Sequence, residues 1–227
     1  EQTSGCPPLT IDGGQINGQA LNIKCSESSQ YLSALLLMAP CTPRGLDITV
    51  DGDPVSKPYI DMTVDIMQRF GIAVDRDGYR RFSIAGGQAY QPGTYTVEPD
   101  CSQASYFWGA AAITGKAIKV KALNHATRQG DIRLVRVLEA MGCTVTPETD
   151  GITVTGGRLK GITVDMGDMP DMVPTLAVVA AFAQGDTVIN NVAHLRGKES
   201  DRLLAVTTEL EKMGIATQSR ADGTAIA

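Results

Sequence analysis

The chain has 227 residues, of which 43% are hydrophobic and 20% charged, and its formal net charge at pH 7 is −5. This length allows one large domain or two small ones, and the composition is that of an ordinary globular protein. The acidic balance argues against nucleic-acid binding, which needs a basic surface, and the longest apolar runs are too short to cross a bilayer.

The five cysteines are scattered and contain no Cys-x-x-Cys pair, which favours a reducing compartment and predicts a cytoplasmic protein. With only two histidines, the plausible ligands for a zinc site are too few, so we expect no metal and no cofactor. We see no targeting peptide. The missing initial Met and the end at Ala225-Ile226-Ala227 indicate a piece of a longer protein.

A repeat of about seventy residues organises the predicted elements. Gly45, Gly115 and Gly185 are seventy residues apart, and each ends an Ala-rich helix and precedes a strand-like run, at 46–50, 116–120 and 186–189. A polar turn and a second, amphipathic helix follow, and then two short strands, of which the first are expected at 72–74, 143–145 and 215–217. Each unit is therefore predicted to read β-α-β-α-β-β, and the fold class is α/β with three such units.

The two helices of each unit differ in charge. The first helices, predicted at 31–39, 106–113 and 173–183, carry almost no charge, so other elements should cover them on all sides. The second helices have one polar face and should lie on the outside. Between the first two units, the uncharged Gly/Pro-rich segment 86–93 is a domain boundary or hinge, or else a plain surface loop.

Hydroxyl and amide side chains gather at the predicted helix starts of the first unit. Ser28, Ser29 and Gln30 open its first helix, where they either cap the helix or bind a phosphate. Ser56 is expected to cap the second helix, with Pro58 in the first turn. The residue that follows Pro58, a tyrosine, either packs in the core or points its hydroxyl at a ligand.

Charged residues mark the helix starts of the third unit. Asp171 precedes a very apolar helix, so its carboxylate needs a cap, a cation or a ligand hydroxyl. Further on, 196–202 opens an amphipathic helix that Ser200 or Asp201 can cap and that Gly214 ends. The residues spaced to form its core-facing stripe are Leu203, Val206, Leu210 and Met213.

The start of this last helix offers two interpretations. If helical structure reaches back to Lys198, then Lys198, Glu199 and Arg202 share one face. Two cations at a helix N-terminus would form a seat for a phosphate or carboxylate, beside an acid placed to give or take a proton. The alternative is a solvated surface helix with i,i+3 and i,i+4 ion pairs.

Six motifs occur together in one order and spacing, at 28–32, 55–61, 98–107, 129–133, 170–171 and 198–202. On these motifs, the chain resembles the 5-enolpyruvylshikimate-3-phosphate synthase (3-phosphoshikimate 1-carboxyvinyltransferase) family over essentially its whole length. The resemblance implies the inside-out α/β barrel of the enolpyruvyl transferases. It also implies transfer of the carboxyvinyl group of phosphoenolpyruvate to the 5-hydroxyl of shikimate-3-phosphate, in aromatic amino acid biosynthesis.

The resemblance implies binding roles for residues of the first unit. Ser28, Ser29 and Gln30 would hold the shikimate phosphate, with Gln30 also near the enolpyruvyl group. Ser56 would be a further phosphate contact, and Tyr59 a contact to the shikimate unit.

The resemblance also implies the residues that carry the chemistry in the third unit. Asp171 would hold the reacting shikimate hydroxyl with Lys198 as its partner. Glu199 would protonate the methylene carbon of phosphoenolpyruvate, and Arg202 would bind that substrate. His194 stands where many relatives have an Asn that contacts shikimate.

Finally, the resemblance divides the chain. Residues 1–96 would belong to the domain on the shikimate-phosphate side and residues 97–227 to the second domain, together the middle half of the family's enzymes. The family's Lys-Ser pair, its Asn-Ala-Gly-Thr loop and several arginines and lysines have no counterpart here. We therefore expect the chain by itself to be inactive, and we expect the flank left by missing units to favour self-association.

Two other functions stay open. One is a binding or structural module that has kept the fold and lost the chemistry. The other is the sister enzyme that acts on UDP-N-acetylglucosamine, against which the Ser-Ser-Gln and Ser-Lys-Pro-Tyr motifs argue.

Overall fold

The computed structural model describes residues 8–14, 16 and 19–227. The first unit has six elements: β1 (Ala20–Lys24), α1 (Gln30–Met38), β2 (Gly45–Asp51), α2 (Lys57–Arg69), β3 (Asp75–Asp77) and β4 (Arg81–Ala85). The third unit repeats them as β8 (Thr163–Asp165), α5 (Val173–Ala180), β9 (Thr187–Asn190), α6 (Arg202–Lys212), β10 (Thr217–Arg220) and β11 (Gly223–Ile226). Both sheets have the same topology, with order β1-β2-β4-β3 in one and β8-β9-β11-β10 in the other.

The second unit departs from the predicted repeat. It contains α3 (Cys101–Thr114), β5 (Ala117–Lys121), α4 (Leu134–Ala140), β6 (Thr144–Glu148) and β7 (Gly151–Thr155). Its sheet has three strands in the order β5-β7-β6, so the expected first strand is missing from the described residues. The segment before α3 lies instead against the first unit, where the Tyr95 ring is 6.1 Å from the Phe70 ring and 5.6 Å from the Arg69 guanidinium.

All three second helices end in the same way, and the strands that follow them begin later than predicted. Gly71, Gly142 and Gly214 have positive φ, and the amide of the following residue donates to a carbonyl five residues back, as in Ile72 to Met67 and Ile215 to Leu210. This is the Schellman arrangement. It commits Ile72 and Ile215 to the helix end, so the strands expected at 72–74 and 215–217 begin only at Asp75 and Thr217.

Two hydrophobic cores lie on either side of the irregular connector 86–100. One contains buried residues between Cys25 and Ile84, and the other contains residues between Cys101 and Ile226. At the edge of the first core, Gly45 allows β2 and β4 to approach, because a Cβ there would lie 2.0 Å from the Ile84 carbonyl oxygen. The cysteines at 25, 41, 101 and 143 are unpaired thiols, and Cys6 lies outside the described residues.

The prediction that other elements cover the first helices on all sides is wrong for the described residues. Tyr31 on α1 is 61% exposed, Tyr106 and Phe107 on α3 are 63% and 57% exposed, and Phe182 just after α5 is 59% exposed. A helix with little charge can be covered on all sides, or it can have a second apolar face that stays exposed in this chain. The charge of the helix alone does not distinguish the two cases. None of the helices in the described part of the chain is long and apolar enough to cross a membrane.

Candidate functional site

A cavity of about 230 Å³ lies where the N-termini of α1, α2 and α6 meet the 3-10 turn Pro170–Met172. The residues that line it come from the first and third units: Ser28, Ser29, Gln30, Tyr31, Ser56, Tyr59, Pro170, Asp171, Gly197, Lys198, Glu199 and Arg202. The structure therefore brings together all the polar residues singled out in the sequence except His194.

Two of the hydroxyl side chains on the first-unit side, Ser29 and Ser56, do not cap their helices. Ser29 and Ser56 occupy the N-cap positions of α1 and α2, yet neither side chain makes a capping hydrogen bond. The Ser29 hydroxyl instead approaches the Ser56 carbonyl oxygen at 3.5 Å, and the Ser28 hydroxyl accepts from the Gln30 amide at 3.2 Å. Helix N-termini lined by hydroxyls suit an anionic group such as a phosphate.

Ser56 has a left-handed backbone conformation, with φ of +55° and ψ of +44°. Such a conformation is uncommon for a residue with a side chain and costs on the order of 1–3 kcal/mol. Pro58 occupies the first turn of α2, as predicted, but Ser56 does not cap the helix with its side chain. Backbone strain of this kind concentrates at ligand-binding positions.

Tyr59 lines the cavity, and its hydroxyl contacts two carboxylates. It donates to Oδ2 of Asp171 over 2.7 Å and lies 3.2 Å from Oδ2 of Asp131. Burial raises the pKa of Tyr59, and the two carboxylates raise it further. The phenol therefore keeps its proton and acts as a hydrogen-bond donor at neutral pH.

A single guanidinium joins the two acids of the third unit. Arg202 donates from Nη1 to Oδ1 of Asp171 over 2.5 Å and from Nη2 to Oε2 of Glu199 over 2.8 Å. A hydrogen bond from its own backbone amide and the contact with Arg202 hold the pKa of Glu199 below its ordinary value. In this arrangement Glu199 is ionised, and both oxygens of Asp171 are engaged.

The helix α6 does not reach back to Lys198, so the conditional prediction of a shared helical face is wrong. Asp201 is the N-cap, accepts from the amide of Leu204 over 2.9 Å and has an extended backbone, and the helix begins at Arg202. Lys198 has extended geometry and lies with Glu199 in the loop before the helix. The two residues still line the cavity beside Arg202, because the loop folds over it.

The residues after this helix start follow the expected stripe only in part. Leu203 and Leu210 are buried as predicted, whereas Met213 is 67% exposed. Met213 is the C-cap of α6, and the buried positions of the helix include Thr207 instead.

His194 lies beside the cavity and is not part of its lining. Its Nε2 is buried and has no hydrogen-bond partner among the described residues. Burial lowers the pKa of His194, the charge of Lys198 lowers it further, and Asp171 acts in the opposite direction. A neutral imidazole therefore stands next to the cations of the site.

Asp131 adjoins this site through Tyr59, a position that could not be inferred from the sequence. The residue is only 5% exposed, and its Oδ1 has no hydrogen-bond partner in the described structure. Burial raises the pKa of Asp131 to about 6, and the charge of Asp171 contributes next. The sequence did offer one hint, an acid close to the apolar residues Ile132, Leu134 and Val135. All three are buried in the structure.

A second cavity, of about 750 Å³, lies between α2, the connector and the loop 126–131. Tyr59 and Asp171 line both cavities and so stand between them, while Asp131 lines the larger one. Within the ranges that the structure describes, no group of three His, Cys, Asp or Glu side chains is arranged to hold a metal ion.

The family model of EPSP synthase (3-phosphoshikimate 1-carboxyvinyltransferase) matches residues 1–227. The chain is 48% identical over 217 residues to a 3-phosphoshikimate 1-carboxyvinyltransferase of Klebsiella pneumoniae (strain 342) and 46% identical to one of Escherichia coli O6:H1 (strain CFT073). Each alignment covers 95% of this chain and 51% of the relative. The chain thus spans about half the length of the curated relatives it matches.

Solved structures show the same similarity. An EPSP synthase from Acinetobacter baumannii is 29% identical with a TM-score of 0.74, over 98% of this chain and 51% of that one. The enolpyruvyl transferase NikO from Streptomyces tendae is 19% identical with a TM-score of 0.69, over 96% and 54%, a likeness of fold alone. These findings confirm the predicted α/β architecture of repeated units.

Proposed function

Because the chain belongs to the EPSP synthase family over its 227 residues, we propose that the protein containing it moves the carboxyvinyl group of phosphoenolpyruvate to the 5-hydroxyl of shikimate-3-phosphate. The observation that carries this proposal is the composition of the smaller cavity. Hydroxyls and an amide lie at two helix N-termini on one side, and two cations and two carboxylates lie on the other.

The first-unit side is suited to the phosphate of the acceptor. In the proposal, Ser28, Ser29 and Gln30 bind this phosphate at the start of α1, and Ser56 adds a contact from the start of α2. Hydroxyl donors and free backbone amides at helix N-termini favour a dianion. Neither hydroxyl caps its helix, and to bind the ligand Ser29 would give up only its 3.5 Å contact with the Ser56 carbonyl oxygen.

The third-unit side is suited to the addition step. The oxygen of the reacting hydroxyl attacks C2 of phosphoenolpyruvate while Asp171 takes the proton of that hydroxyl. Glu199 gives a proton to the methylene carbon. Loss of a proton from the new methyl group and departure of phosphate then give the enol ether and free phosphate. Lys198 and Arg202 stabilise the negative charges of both substrates, and Lys198 also partners Asp171.

This chemistry requires a change in the charge pattern of the unliganded site. Glu199 is ionised beside Arg202, but a proton donor must be protonated. An anionic substrate that takes over Arg202 would remove this stabilisation of the Glu199 carboxylate and raise its pKa. The same substrate would release Oδ1 of Asp171, which Arg202 now occupies.

We also propose that residues 1–96 and 97–227 belong to two domains. When these domains close over the substrates, His194 would contact the acceptor. The two hydrophobic cores on either side of the connector support the division. In the whole protein, we propose that further residues cover the exposed faces of α1 and α3. In the isolated chain, the same faces would favour self-association.

The test uses the full open reading frame that carries these residues. Calorimetry should give micromolar binding of shikimate-3-phosphate, and phosphate release should require both substrates. Binding without turnover would indicate a module that has lost the chemistry. Turnover with UDP-N-acetylglucosamine in place of shikimate-3-phosphate would assign the sister activity, and neither binding nor turnover would refute the proposal.

A further inference from the structure

The turn 129–131 connects three parts of the molecule. The Gln129 side chain accepts from the Cys101 amide over 2.7 Å and donates to the Pro99 carbonyl oxygen over 2.8 Å, which fixes the turn to the start of α3. A Cβ on Gly130 would lie 2.4 Å from the Asp168 carbonyl oxygen and 2.7 Å from Cγ of Pro58. The absence of a side chain at Gly130 thus lets the turn pack against α2, and the next residue, Asp131, is held against Tyr59.

Burial of Asp131 at this position costs folding free energy. The residue is 5% exposed, its Oδ1 has no hydrogen-bond partner, and its Oδ2 contacts only the Tyr59 hydroxyl, among the described residues. A carboxyl group removed from water without a cation destabilises a fold. Its presence here therefore indicates a role other than stability. Its one polar contact is with a residue that lines the smaller cavity.

Tyr59 has one hydroxyl proton and two carboxyl groups within reach. It donates to Oδ2 of Asp171 over 2.7 Å, and Oδ2 of Asp131 lies on its other side at 3.2 Å. Arg202 occupies Oδ1 of Asp171. In the unliganded site, therefore, each oxygen of Asp171 already accepts one hydrogen bond, and a substrate hydroxyl that approaches Oδ2 competes with Tyr59 for it.

We propose that Asp131 is a positioning residue that accepts the hydrogen bond of the Tyr59 hydroxyl when the hydroxyl of the acceptor substrate binds Oδ2 of Asp171. This inference rests on the proposed function. Tyr59 turns between two carboxylates without losing a hydrogen bond, so Asp171 is freed at little cost. Asp131 touches neither substrate and acts only through Tyr59.

The exchange depends on the charge of Asp131. The groups that face Asp131 are Tyr59 from α2, Asp171 from the turn before α5, and Asp100 and Cys101 at the start of α3. When protonated, Asp131 donates a hydrogen bond to the Tyr59 oxygen, so the Tyr59 hydroxyl keeps donating to Asp171. When ionised, Asp131 can accept the hydrogen bond of the Tyr59 hydroxyl instead. Acceptor binding should therefore weaken as the pH falls through about 6, the pKa to which burial raises this carboxyl.

The test is a double-mutant cycle on the full open reading frame, with the affinity for shikimate-3-phosphate measured by calorimetry at pH 7.5. Asp131→Asn keeps the shape and removes the negative charge, and should weaken binding roughly tenfold, the effect of one hydrogen bond to a charged group. In a Tyr59→Phe background, the same change should have no further effect, because no hydroxyl occupies Asp171. The control, Asp168→Asn, removes an equal charge from a neighbouring ion pair with Arg133 and should leave binding unchanged.

A second measurement repeats the titrations at pH 5.5. The substrate phosphate also titrates near pH 6. The quantity to compare is therefore the loss of affinity between pH 7.5 and 5.5 in each variant, since the phosphate contributes equally to all of them. The loss of affinity should be steeper in the natural protein than in Asp131→Asn or in Tyr59→Phe alone. The Tyr59→Phe comparison stands even if Asp131→Asn fails to fold.

The outcomes separate the two proposals. Equal losses from Asp131→Asn in both backgrounds, or no loss in either, would overturn the positioning role and leave the proposed function intact. Identical pH dependence in all variants would have the same meaning. If the natural protein does not bind shikimate-3-phosphate, the proposed function fails and this inference fails with it.

Discussion

The Tyr59 hydroxyl donates to Oδ2 of Asp171 over 2.7 Å, although the two residues lie 112 positions apart in different repeat units. Arg202 binds the other oxygen of Asp171 and also Glu199. The residues proposed to hold the acceptor hydroxyl and to move the protons thus form one chain of hydrogen bonds before any substrate arrives. Binding must rearrange this chain.

Replacement of Glu199 should separate binding from turnover. Glu199→Gln keeps the shape of the side chain but cannot supply the proton for the methylene carbon, so turnover should fall by at least a hundredfold, as for loss of a general acid. The dissociation constant of shikimate-3-phosphate should stay within a factor of about three, because that ligand does not need the acid. Steady-state kinetics and calorimetry measure the two quantities.

The control for this change is Glu209→Gln, on the exposed part of α6, where Glu209 pairs with Lys212. It should affect neither quantity. A near-normal rate in Glu199→Gln would remove Glu199 from the mechanism.

Replacement of Arg202 should raise the Michaelis constant for phosphoenolpyruvate most. Arg202→Gln removes a charge-assisted partner for the substrate and also the guanidinium that pairs with both Asp171 and Glu199. The loss of such a contact predicts a ten- to hundredfold effect, on the order of 1.5–3 kcal/mol. Arg136→Gln, an exposed position on α4, is the matched control. An unchanged Michaelis constant in Arg202→Gln would contradict the assignment.

Removal of the Ser29 hydroxyl should weaken acceptor binding. Ser29 is 2% exposed and lines the smaller cavity, and its hydroxyl makes no capping hydrogen bond. Ser29→Ala should therefore raise the dissociation constant of shikimate-3-phosphate roughly tenfold, with little loss of stability. Ser26→Ala, at an exposed position outside the cavity, should leave the constant unchanged. An equal constant for both variants would refute the phosphate contact.

The raised pKa of Asp131 should make the fold more stable in mild acid. Its native pKa of about 6 exceeds the ordinary value of 3.8, so the folded state binds the proton more tightly than the unfolded state. This contribution is full below about pH 3.8 and is lost as the pH rises through about 6. The interval between the two values corresponds to about 3 kcal/mol.

Urea unfolding between pH 4 and 7.5 measures this contribution as the difference between the natural protein and Asp131→Asn. The natural protein should lose more of its unfolding free energy over this range. Parallel curves for the two proteins would show that Asp131 titrates normally.

A side chain at Gly130 should loosen the contact between the two halves of the chain. In Gly130→Ala, the new Cβ would overlap the Asp168 carbonyl oxygen and the Pro58 ring, and the backbone oxygen cannot move without cost. We expect a loss of about 1–3 kcal/mol in unfolding free energy. Gly93→Ala, where a Cβ would meet no atom within 4 Å, is the control. Equal unfolding midpoints for the two variants would contradict this close packing.

Several features of the fold could be predicted because their causes are local. The repeat is visible in glycines that end helices, and each of Gly71, Gly142 and Gly214 has the positive φ that such an end requires. Asp100 and Asp201 cap α3 and α6 through hydrogen bonds to amides two and three residues further on. Such contacts depend on neighbours in the sequence and can be inferred from residue type and spacing.

The site residues that the resemblance implies line the smaller cavity, apart from His194, but their contacts could not be inferred. Lys198 would share a helical face only if the helix reached back to it, and the helix instead begins after the Asp201 cap, which leaves Lys198 in a loop. His194 was expected among the acceptor contacts and does not line the cavity. The second unit lacks its first strand in the described residues, because the segment that carries Tyr95 packs against α2.

The amino-acid sequence by itself determined the period of the repeat, the glycine ends of the second helices and the family. Only the tertiary structure decided that Tyr59 lies between Asp131 and Asp171, residues that are 72 and 112 positions away. Burial and charge at such a point depend on which distant elements pack there, and neither spacing nor residue type contains that information. The desolvated carboxyl of Asp131, and its raised pKa, follow from this packing alone.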